Sequence, residues 1–438
     1  YYINTYLSSM LKYTLDDFKN IEKNAFIEEI NKTSIDIINN FSKKVGAPTY
    51  RKTPIFKKKR FDYKQKNHVK LYENNSLSES MKSLLKVGLF LVASVVFLGQ
   101  SVLADRIIKG DPKPAMIIFS QKNDGGWSQA LDEARQKVEA ELGLTIPVVE
   151  NVPENAAAIK PAVELFIDRG HNIILGSAFG YSDAFKELAE KYPDVVFLNP
   201  AGTTNGDNLM SYYGRTYESQ YLCGMAAGAI SKSGKLGFVA ANPFGLVNWT
   251  VNAFAMGARE MNPDATLTVV FTGAWNDPVK ERAASEALAE QGIDVIGQHV
   301  DTPTPQIVAK EKGVYSTGHH RDLSEFSSAT QCSSVWVWDR FLIPEIKKIA
   351  DGTWESSPWG AFLSIGQGGT DIACCGDAVS SDQKAKIMKA RDDIIAGKHI
   401  FAGPLKDGSG TLKIKSGEVM GDADLWGMDW FVEGVISQ

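Results

Sequence analysis

The sequence predicts an α/β protein with two doubly wound lobes, for three reasons. Its length of 438 residues favours two or more domains. From residue 115 onward, short continuous apolar runs alternate with helical patterns, which is typical of parallel strands that are covered on both faces. The strand–helix units are too many for one compact sheet, and they divide near Gly234 into two similar halves.

The predicted elements follow one another in a regular order. The strands are 115–119, 146–149, 172–175, 195–198, 236–239, 267–271 and 294–296. The helices between them are 129–142, 156–168, 182–191, 218–230, 251–261, 278–290 and 306–312. Because parallel strands need long connections, these helices are expected to be the crossovers. Glycines at 224 and 228 are expected to let the helix at 218–230 pack closely on a sheet.

The C-terminal part adds elements that both halves are expected to share. It contains helical patterns at 342–350 and 382–396, and a hairpin around the Asp407-Gly408 turn. We therefore predict lobe 1 at 105–234, lobe 2 at 235–340, and crossover elements that complete both lobes at 341–438.

The first eighty residues differ from the rest, and we assign them no function. They begin with a partly helical pattern, and the stretch 56–70 holds seven Lys or Arg residues. Such a run can hold phosphate or anionic lipid. A solvated linker is the favoured interpretation, because no aromatic platform accompanies the charges. This segment is predicted to be an unrelated extension or fusion.

Residues 81–104 have the layout of a secretory signal peptide. Lys82 and Lys86 form a positive region, 87–99 is apolar, and 102–104 ends in Ala104 with residues that signal peptidase accepts. The apolar run is shorter than the roughly 20 residues of a membrane span. The alternative is a buried helix. The pattern predicts Sec-type export to the periplasm or another extracytoplasmic location.

Composition describes an ordinary globular protein and excludes some functions. The chain is 44% hydrophobic and 23% charged, with a net charge of -5 that does not favour nucleic-acid binding. The cysteines lack paired CxxC spacing, which argues against a zinc site. Cys332 and the adjacent Cys374 and Cys375 either form a disulfide after export or remain reduced and buried.

Loops that follow predicted strands carry the candidate binding residues. Asp124 and Trp127 follow the strand at 115–119, and Trp275 follows the strand at 267–271. Because ligands bind beyond the carboxyl ends of strands in open α/β sheets, the two tryptophans are predicted to form two walls of one cleft. A planar heterocycle between them would gain about 1–3 kcal/mol per stacked face. A role in core or lobe packing remains the alternative for each ring.

Acidic residues on similar loops supply acceptors for the N–H groups of a purine. Asp124, Asp183 and Asp301 are the candidates, although Asp183 equally suits the first turn of a helix. Trp336 and Trp338 alternate along a strand-like run, so one is expected to face the core and the other the cleft.

No convincing enzyme motif is present. The sequence has no P-loop, no GxSxG and no HExxH. His299, His319 and His320 can be drawn as a metal cluster with Asp301 and Asp322, but their spacing does not place them on one helical face. We predict a non-catalytic protein without metal or cofactor.

Several stretches, which follow one another in the same order as in the family, resemble the basic membrane protein family of ABC-transporter substrate-binding proteins. This family includes purine nucleoside receptors. The similarity runs from about residue 114 to the C-terminus. It implies a type I periplasmic-binding fold, a monomer, capture of a purine base or nucleoside, and delivery to an ABC permease. The stretches that carry it are 124–127, 176–184, 213–218, 231–239, 275–278, 291–296, 403–407 and 428–434.

The resemblance also implies which residues contact the ligand. Trp127 and Trp275 match the stacking aromatics, and Asp301 matches a polar loop at the rim of the second lobe. His320 occupies a position where the family commonly has an acidic residue, and Trp336 is near the position of a lysine in the nucleoside binders. The loss of both side chains favours a bare base over a nucleoside as the ligand. A sugar or other small polar ligand, and an enzyme acting on nucleobases, are the alternatives. The predicted ligand-binding residues are Asp124, Trp127, Phe179, Asp183, Trp275, Asp301, His320 and Trp336.

Overall fold

The computed structural model of the protein describes residues 107–438 and contains two mainly parallel sheets. The predicted signal peptide at 81–104 and the basic run at 56–70 lie outside the described residues. The first sheet contains β1 (Pro114–Ile117), β2 (Val148–Val149), β3 (Ile173–Leu175), β4 (Val196–Pro200), β5 (Leu209–Gly214) and β11 (Ala361–Leu363). Its order is β11-β5-β4-β3-β1-β2, and all neighbours are parallel.

The second sheet is built in the same way, with one antiparallel pair. Its order is β12-β10-β9-β8-β6-β7-β15, and only β10 and β12 run antiparallel. A separate hairpin joins β13 (Leu405–Lys406) to β14 (Leu412–Ile414). The strands of the second sheet are β6 (Lys235–Ala240), β7 (Thr266–Phe271), β8 (Val295–His299), β9 (Tyr315–Gly318), β10 (Thr330–Trp336), β12 (Thr370–Cys374) and β15 (Val435–Ser437).

Helices cover the sheets and separate their strands. None of the helices within residues 107–438 has the length and apolar character that a membrane span requires. The helices are α1 (Trp127–Leu142), α2 (Ala156–Asp168), α3 (Ser182–Lys191), α4 (Thr216–Ile230), α5 (Gly245–Met261), α6 (Pro278–Glu290), α7 (Thr304–Lys312), α8 (Asp339–Asp351), α9 (Ser381–Ile395) and α10 (Asp422–Trp426). The alternating pattern therefore predicts the fold class and the helices well.

The boundary between the lobes lies before α4 rather than near Gly234. The pattern predicts 216–230 as part of lobe 1, but α4 packs on β10 and β12 of the second sheet and on α5. Its glycines approach a helix rather than a sheet, because a Cβ added to Gly224 would lie 2.1 Å from the carbonyl oxygen of Phe254. The first continuous segment of lobe 1 in the described chain therefore ends at β5, and β11 joins the same sheet later in the chain.

Three crossovers connect the lobes. The chain passes from β5 to α4, from β10 to α8, which packs on α1, and from β11 to β12. Two hydrogen bonds tie the first crossover to the third. The amide of Arg215 donates to the carbonyl of Leu363 at 2.7 Å, and the amide of Ile365 donates to Oε2 of Glu218 at 2.7 Å. We expect this bonded strip to act as the hinge between the lobes.

Candidate functional site

A partly open cavity lies where the carboxyl ends of both sheets meet. The first lobe supplies residues that follow β1, β2, β3 and β4, together with Tyr213 of β5. The second lobe supplies residues that follow β6, β7, β8 and β9, together with His299 at the end of β8. This is the position that the topology of open α/β sheets favours for a ligand. The lining consists of Phe119, Trp127, Glu154, Ala178, Phe179, Ala201, Tyr213, Leu246, Trp275, His299, Asp301 and His320.

Asp124 fixes the start of α1 and with it the position of Trp127. Its Oδ1 accepts hydrogen bonds from the amides of Gly126 at 2.9 Å and Gln129 at 3.0 Å, and its Oδ2 accepts one from Ser128 at 3.0 Å. These bonds satisfy amides that the first turn of a helix leaves free. Asp124 is outside the cavity lining because its carboxylate is turned to this backbone.

The indole of Trp127 is held rigidly by its surroundings. It is 6% exposed, and its Nε1 donates to the carbonyl oxygen of Ser177 at 2.6 Å. Trp336 and Trp338 contact its ring edge to face, with centroids 5.4 and 6.1 Å away. Such packing fixes the ring before any ligand arrives.

Trp275 lines the same cavity from the second lobe but is less constrained. It is half-buried, and its ring lies 6.0 Å from that of His299 and 6.1 Å from that of Phe244. Its carbonyl accepts a hydrogen bond from the amide of Asp301 at 2.7 Å, which joins the two loops. The structure therefore brings the two predicted tryptophans to one cavity.

The lobes touch each other at the edge of the cavity. Phe179 of lobe 1 stacks on Phe244 of lobe 2, with centroids 6.2 Å apart and planes 13° apart. A Cβ added to Gly126 would lie 2.0 Å from the carbonyl oxygen of Asp301. The glycine therefore allows a close approach between loops of the two lobes.

Two buried polar side chains, His320 and Asp301, form part of the lobe 2 wall of the cavity. Nε1 of Trp336 donates to Nδ1 of His320 at 2.9 Å, so Nδ1 is the acceptor and the neutral ring carries its proton on Nε2. That Nε2 lies 3.1 Å from Oδ1 of Asp301, in a direction that does not make a hydrogen bond. Trp336 thus supports His320 from behind and does not line the cavity itself.

Burial controls the charges at this wall. It lowers the pKa of His320 to about 3, and it holds the pKa values of His299 and His319 well below the usual value. Burial, together with the charges of Asp124 and Glu154, raises the pKa of Asp301 well above its usual value. Of the twelve described lining residues none is Lys or Arg, so the wall suits a neutral ligand with N–H groups.

The three histidines meet, but not as a metal centre. The ring of His319 lies 4.2 Å from the rings of both His299 and His320. Nδ1 of His319 bonds to Gln220, and Asp322 accepts from the amide of Ser324 instead of joining the cluster. Within residues 107–438, no group of three or more His, Cys, Asp or Glu is arranged to hold a metal ion.

Two further expectations differ from the structure. Asp183 is exposed in the first turn of α3, away from the lining, where its charge suits the helix dipole. Trp336 and Trp338 do not face opposite ways. Their rings stack with centroids 4.3 Å apart and both are buried, because β10 ends at Trp336 and the chain turns into α8.

Several lining residues were not predicted from the sequence. Glu154 accepts a hydrogen bond from the amide of Gly180 at 2.7 Å, which supports the turn that carries Phe179. His299 was considered only as a metal ligand, although it follows a predicted strand in the same way as Trp127. The other unpredicted lining residues are Phe119, Ala178, Ala201, Tyr213 and Leu246.

Two α/β lobes, three crossovers and an interlobe cavity define the class of two-lobed solute-binding proteins. Residues 112–399 match the family model Bmp, described as ABC transporter substrate-binding protein PnrA-like, and the chain belongs to this family. The family is one of ABC-transporter substrate-binding proteins and not a class of enzymes. The predicted family, fold and transport role are thereby confirmed.

Individual relatives agree with this membership. A purine-binding protein of Brucella abortus is 32% identical over 330 residues, which are 74% of this chain and 92% of the relative. A putative ABC transporter glucose-binding protein of Haloferax volcanii is 33% identical over 298 residues, 67% of this chain and 75% of the relative. A solved ABC transporter solute-binding protein from Conexibacter woesei shares the fold, with a TM-score of 0.56, 20% identity, and coverage of 65% of this chain and 97% of the other.

Proposed function

We propose that the protein captures a purine base or nucleoside between its lobes and delivers it to an ABC permease. The observation that carries the proposal is a cavity between the lobes with an indole from each lobe and a buried Asp301–His320 wall. Indole faces stack on any planar base, and buried polar groups select its edge. The Brucella relative, named as purine-binding, supports this ligand class.

The proposed ligand contacts are the predicted residues that line the cavity. Trp127 and Trp275 grip the ring, Phe179 closes one side, and Asp301 and His320 meet polar groups. Asp124 and Trp336 act by positioning Trp127 and His320, respectively. Replacement of an acid by His320 and of a lysine by Trp336 favours a bare base over a nucleoside.

Calorimetry with adenine, guanine, hypoxanthine, xanthine and their nucleosides tests the proposal. We expect micromolar or tighter binding of at least one base, with quenching of tryptophan fluorescence. No heat with any of them at millimolar concentration would remove the purine assignment. Turnover of a bound purine, followed by chromatography, would show an enzyme instead of the non-catalytic receptor proposed here.

A sugar is the second candidate, because the Haloferax relative is named as glucose-binding and indoles also stack on sugar rings. Glucose and other sugars belong in the same calorimetric series. Binding of a sugar that a purine does not displace would favour this alternative.

We also propose export by the segment 81–104 and a monomeric state. The order of positive, apolar and small residues in that segment supports export. N-terminal sequencing of exported protein should begin at Asp105, and light scattering should give the mass of one chain.

A further inference from the structure

The four cysteines of the chain lie together in lobe 2. Cys223 is on α4, Cys332 is on β10, and Cys374 and Cys375 are at the end of β12. The ligand cavity does not use them, because none of the four belongs to its lining.

Their sulfur atoms form a series that leads from the partly exposed edge of the sheet into the core. Cys374 and Cys375 are half-buried and joined by a disulfide. Cys332 is directly opposite Cys374 in the antiparallel β10–β12 pair. Opposed residues of such a pair point to the same face, with Cβ atoms about 4.5–5.5 Å apart, a separation only slightly larger than disulfides span.

The series ends at a buried pair of thiols. Sγ of Cys223 lies 3.4 Å from Sγ of Cys332, and both residues are buried and free. A disulfide between them requires these sulfurs to close to about 2.0 Å. Because both thiols are covered by protein, an external disulfide reaches them less readily than it reaches Cys374 and Cys375.

We propose that these cysteines are a thiol–disulfide relay that moves a disulfide from Cys374–Cys375 to Cys223–Cys332. In the first exchange, the Cys332 sulfur loses its proton and attacks Sγ of Cys374. The Cys374–Cys375 bond breaks, and Cys375 leaves as a thiolate that takes up a proton. In the second exchange, Cys223 attacks Cys332 in the same way, and Cys374 is released as a thiol.

The exchange needs no oxidant, because one disulfide breaks and one forms. Two protons pass in net terms from Cys223 and Cys332 to Cys374 and Cys375. An external disulfide can then oxidise the released pair again. The new bond links residues 109 positions apart, whereas the first links neighbours. It therefore ties α4 to β10 and restricts the unfolded chain far more.

Time-resolved disulfide mapping of the full chain tests the relay. The protein is reduced, freed of reductant, treated with one equivalent of oxidised glutathione, quenched by alkylation and mapped by mass spectrometry. We expect Cys374–Cys375 to appear first and Cys223–Cys332 later, with the return of free Cys374 and Cys375. The melting temperature should rise by at least about 3 °C as the second bond forms.

Variants separate a relay from direct oxidation. Cys374→Ser should slow the appearance of Cys223–Cys332 at least tenfold, because it removes the sulfur that Cys332 attacks. Cys375→Ser still allows exchange through a Cys374–glutathione disulfide, with glutathione as the leaving group. Ala378→Ser, a change at a nearby half-buried position, should leave the rate unchanged. The proposal is overturned if Cys223–Cys332 never forms while Cys374–Cys375 persists, or if it forms equally fast in wild type and Cys374→Ser with both proteins folded by circular dichroism.

Discussion

The two lobes line the cavity with different kinds of side chain. Of the seven lining residues from lobe 1 only Glu154 has a carboxyl or imidazole side chain. Three of the five from lobe 2 do, namely His299, Asp301 and His320. The lobe 1 wall is also the stiffer one, because Trp127 is held on several sides and Trp275 is half-buried. The difference suggests a division of work, in which lobe 1 provides a fixed stacking face and lobe 2 reads the polar edge of the ligand as it closes.

Trp127→Ala should have the largest effect, because it removes both a wall and part of the core. We expect binding at least tenfold weaker and a loss of about 3–5 kcal/mol in the free energy of unfolding. Calorimetry and urea unfolding measure the two quantities. Trp127→Phe retains an aromatic face and should lose less of both. Wild-type affinity in Trp127→Ala would refute the stacking role.

Trp275→Ala should weaken binding at least tenfold but leave stability almost intact. Its ring is half-buried, so removal opens little core and costs about 1 kcal/mol or less in unfolding free energy. Trp359→Ala is the matched control, because that ring is 91% exposed and outside the cavity. Equal losses of stability in Trp127→Ala and Trp275→Ala would contradict the proposed difference between the walls.

Asp301→Asn should change which ligand is preferred more than how tightly any ligand binds. It exchanges an acceptor oxygen for an N–H₂ donor at a buried position of the same shape. We expect the ratio of adenine and hypoxanthine dissociation constants to change by about tenfold or more.

The control for this change is Asp124→Asn, because Asp124 has the same chemistry but bonds only to the start of α1. That variant should keep the adenine to hypoxanthine ratio of the wild type and lose some stability at the helix start. If both variants shift the ratio alike, Asp301 is not the residue that distinguishes adenine from hypoxanthine.

The sequence predicts a site residue when its position next to a strand marks it, and does not when distant elements place it. Trp127 and Trp275 each follow an apolar strand and were found from that position alone. The direction of the Asp124 carboxylate was not predictable, because it depends on amides that α1 frees only once it forms. Tyr213 and Leu246 reach the cavity only because two distant elements meet there, and no local pattern marks them.

The hydrophobic pattern did not predict strands whose buried residues are polar. β10 carries Cys332, Ser333 and Ser334 in its centre, and these residues are buried. Its polar side chains are satisfied by neighbours, as when Ser219 bonds to both Ser334 and Thr370 at 2.7 and 2.8 Å. A buried strand of this composition has no apolar signal, so the crossover region could be predicted in outline but not strand by strand.

Glu218→Gln tests the hinge that joins the two walls. Burial raises the pKa of Glu218 to about 7, above its usual 4.5. The folded state therefore binds this proton more tightly than the unfolded state, and the stability gained from it is present below about pH 4.5 and is lost as the pH rises through 7. The amide keeps an acceptor for Ile365 and carries no charge, so we expect a gain of about 1–2 kcal/mol at pH 8 and a flatter profile. Unfolding at several pH values measures this, and an unchanged pH profile would contradict the assignment.

Glu133→Gln should have the smallest effect, because it weakens one contact between the lobes and leaves both walls in place. Nη2 of Arg321 in lobe 2 lies 2.7 Å from Oε1 of Glu133 on α1 and 2.9 Å from Oε2 of Glu325 in its own lobe. The Glu133 side chain is 40% exposed, so the ion pair contributes a few tenths to about 1 kcal/mol after screening.

Ligand dissociation, followed by stopped-flow tryptophan fluorescence, should therefore accelerate about two- to fivefold in Glu133→Gln. Glu325→Gln is the matched control, since it removes a carboxylate from the same arginine without crossing between lobes, and its rate should stay within about twofold of wild type. The difference between the two variants should disappear near 1 M salt, where exposed charges are screened. If Glu325→Gln accelerates release as much as Glu133→Gln, the arginine acts by shaping the lobe 2 wall and not by holding the two walls together.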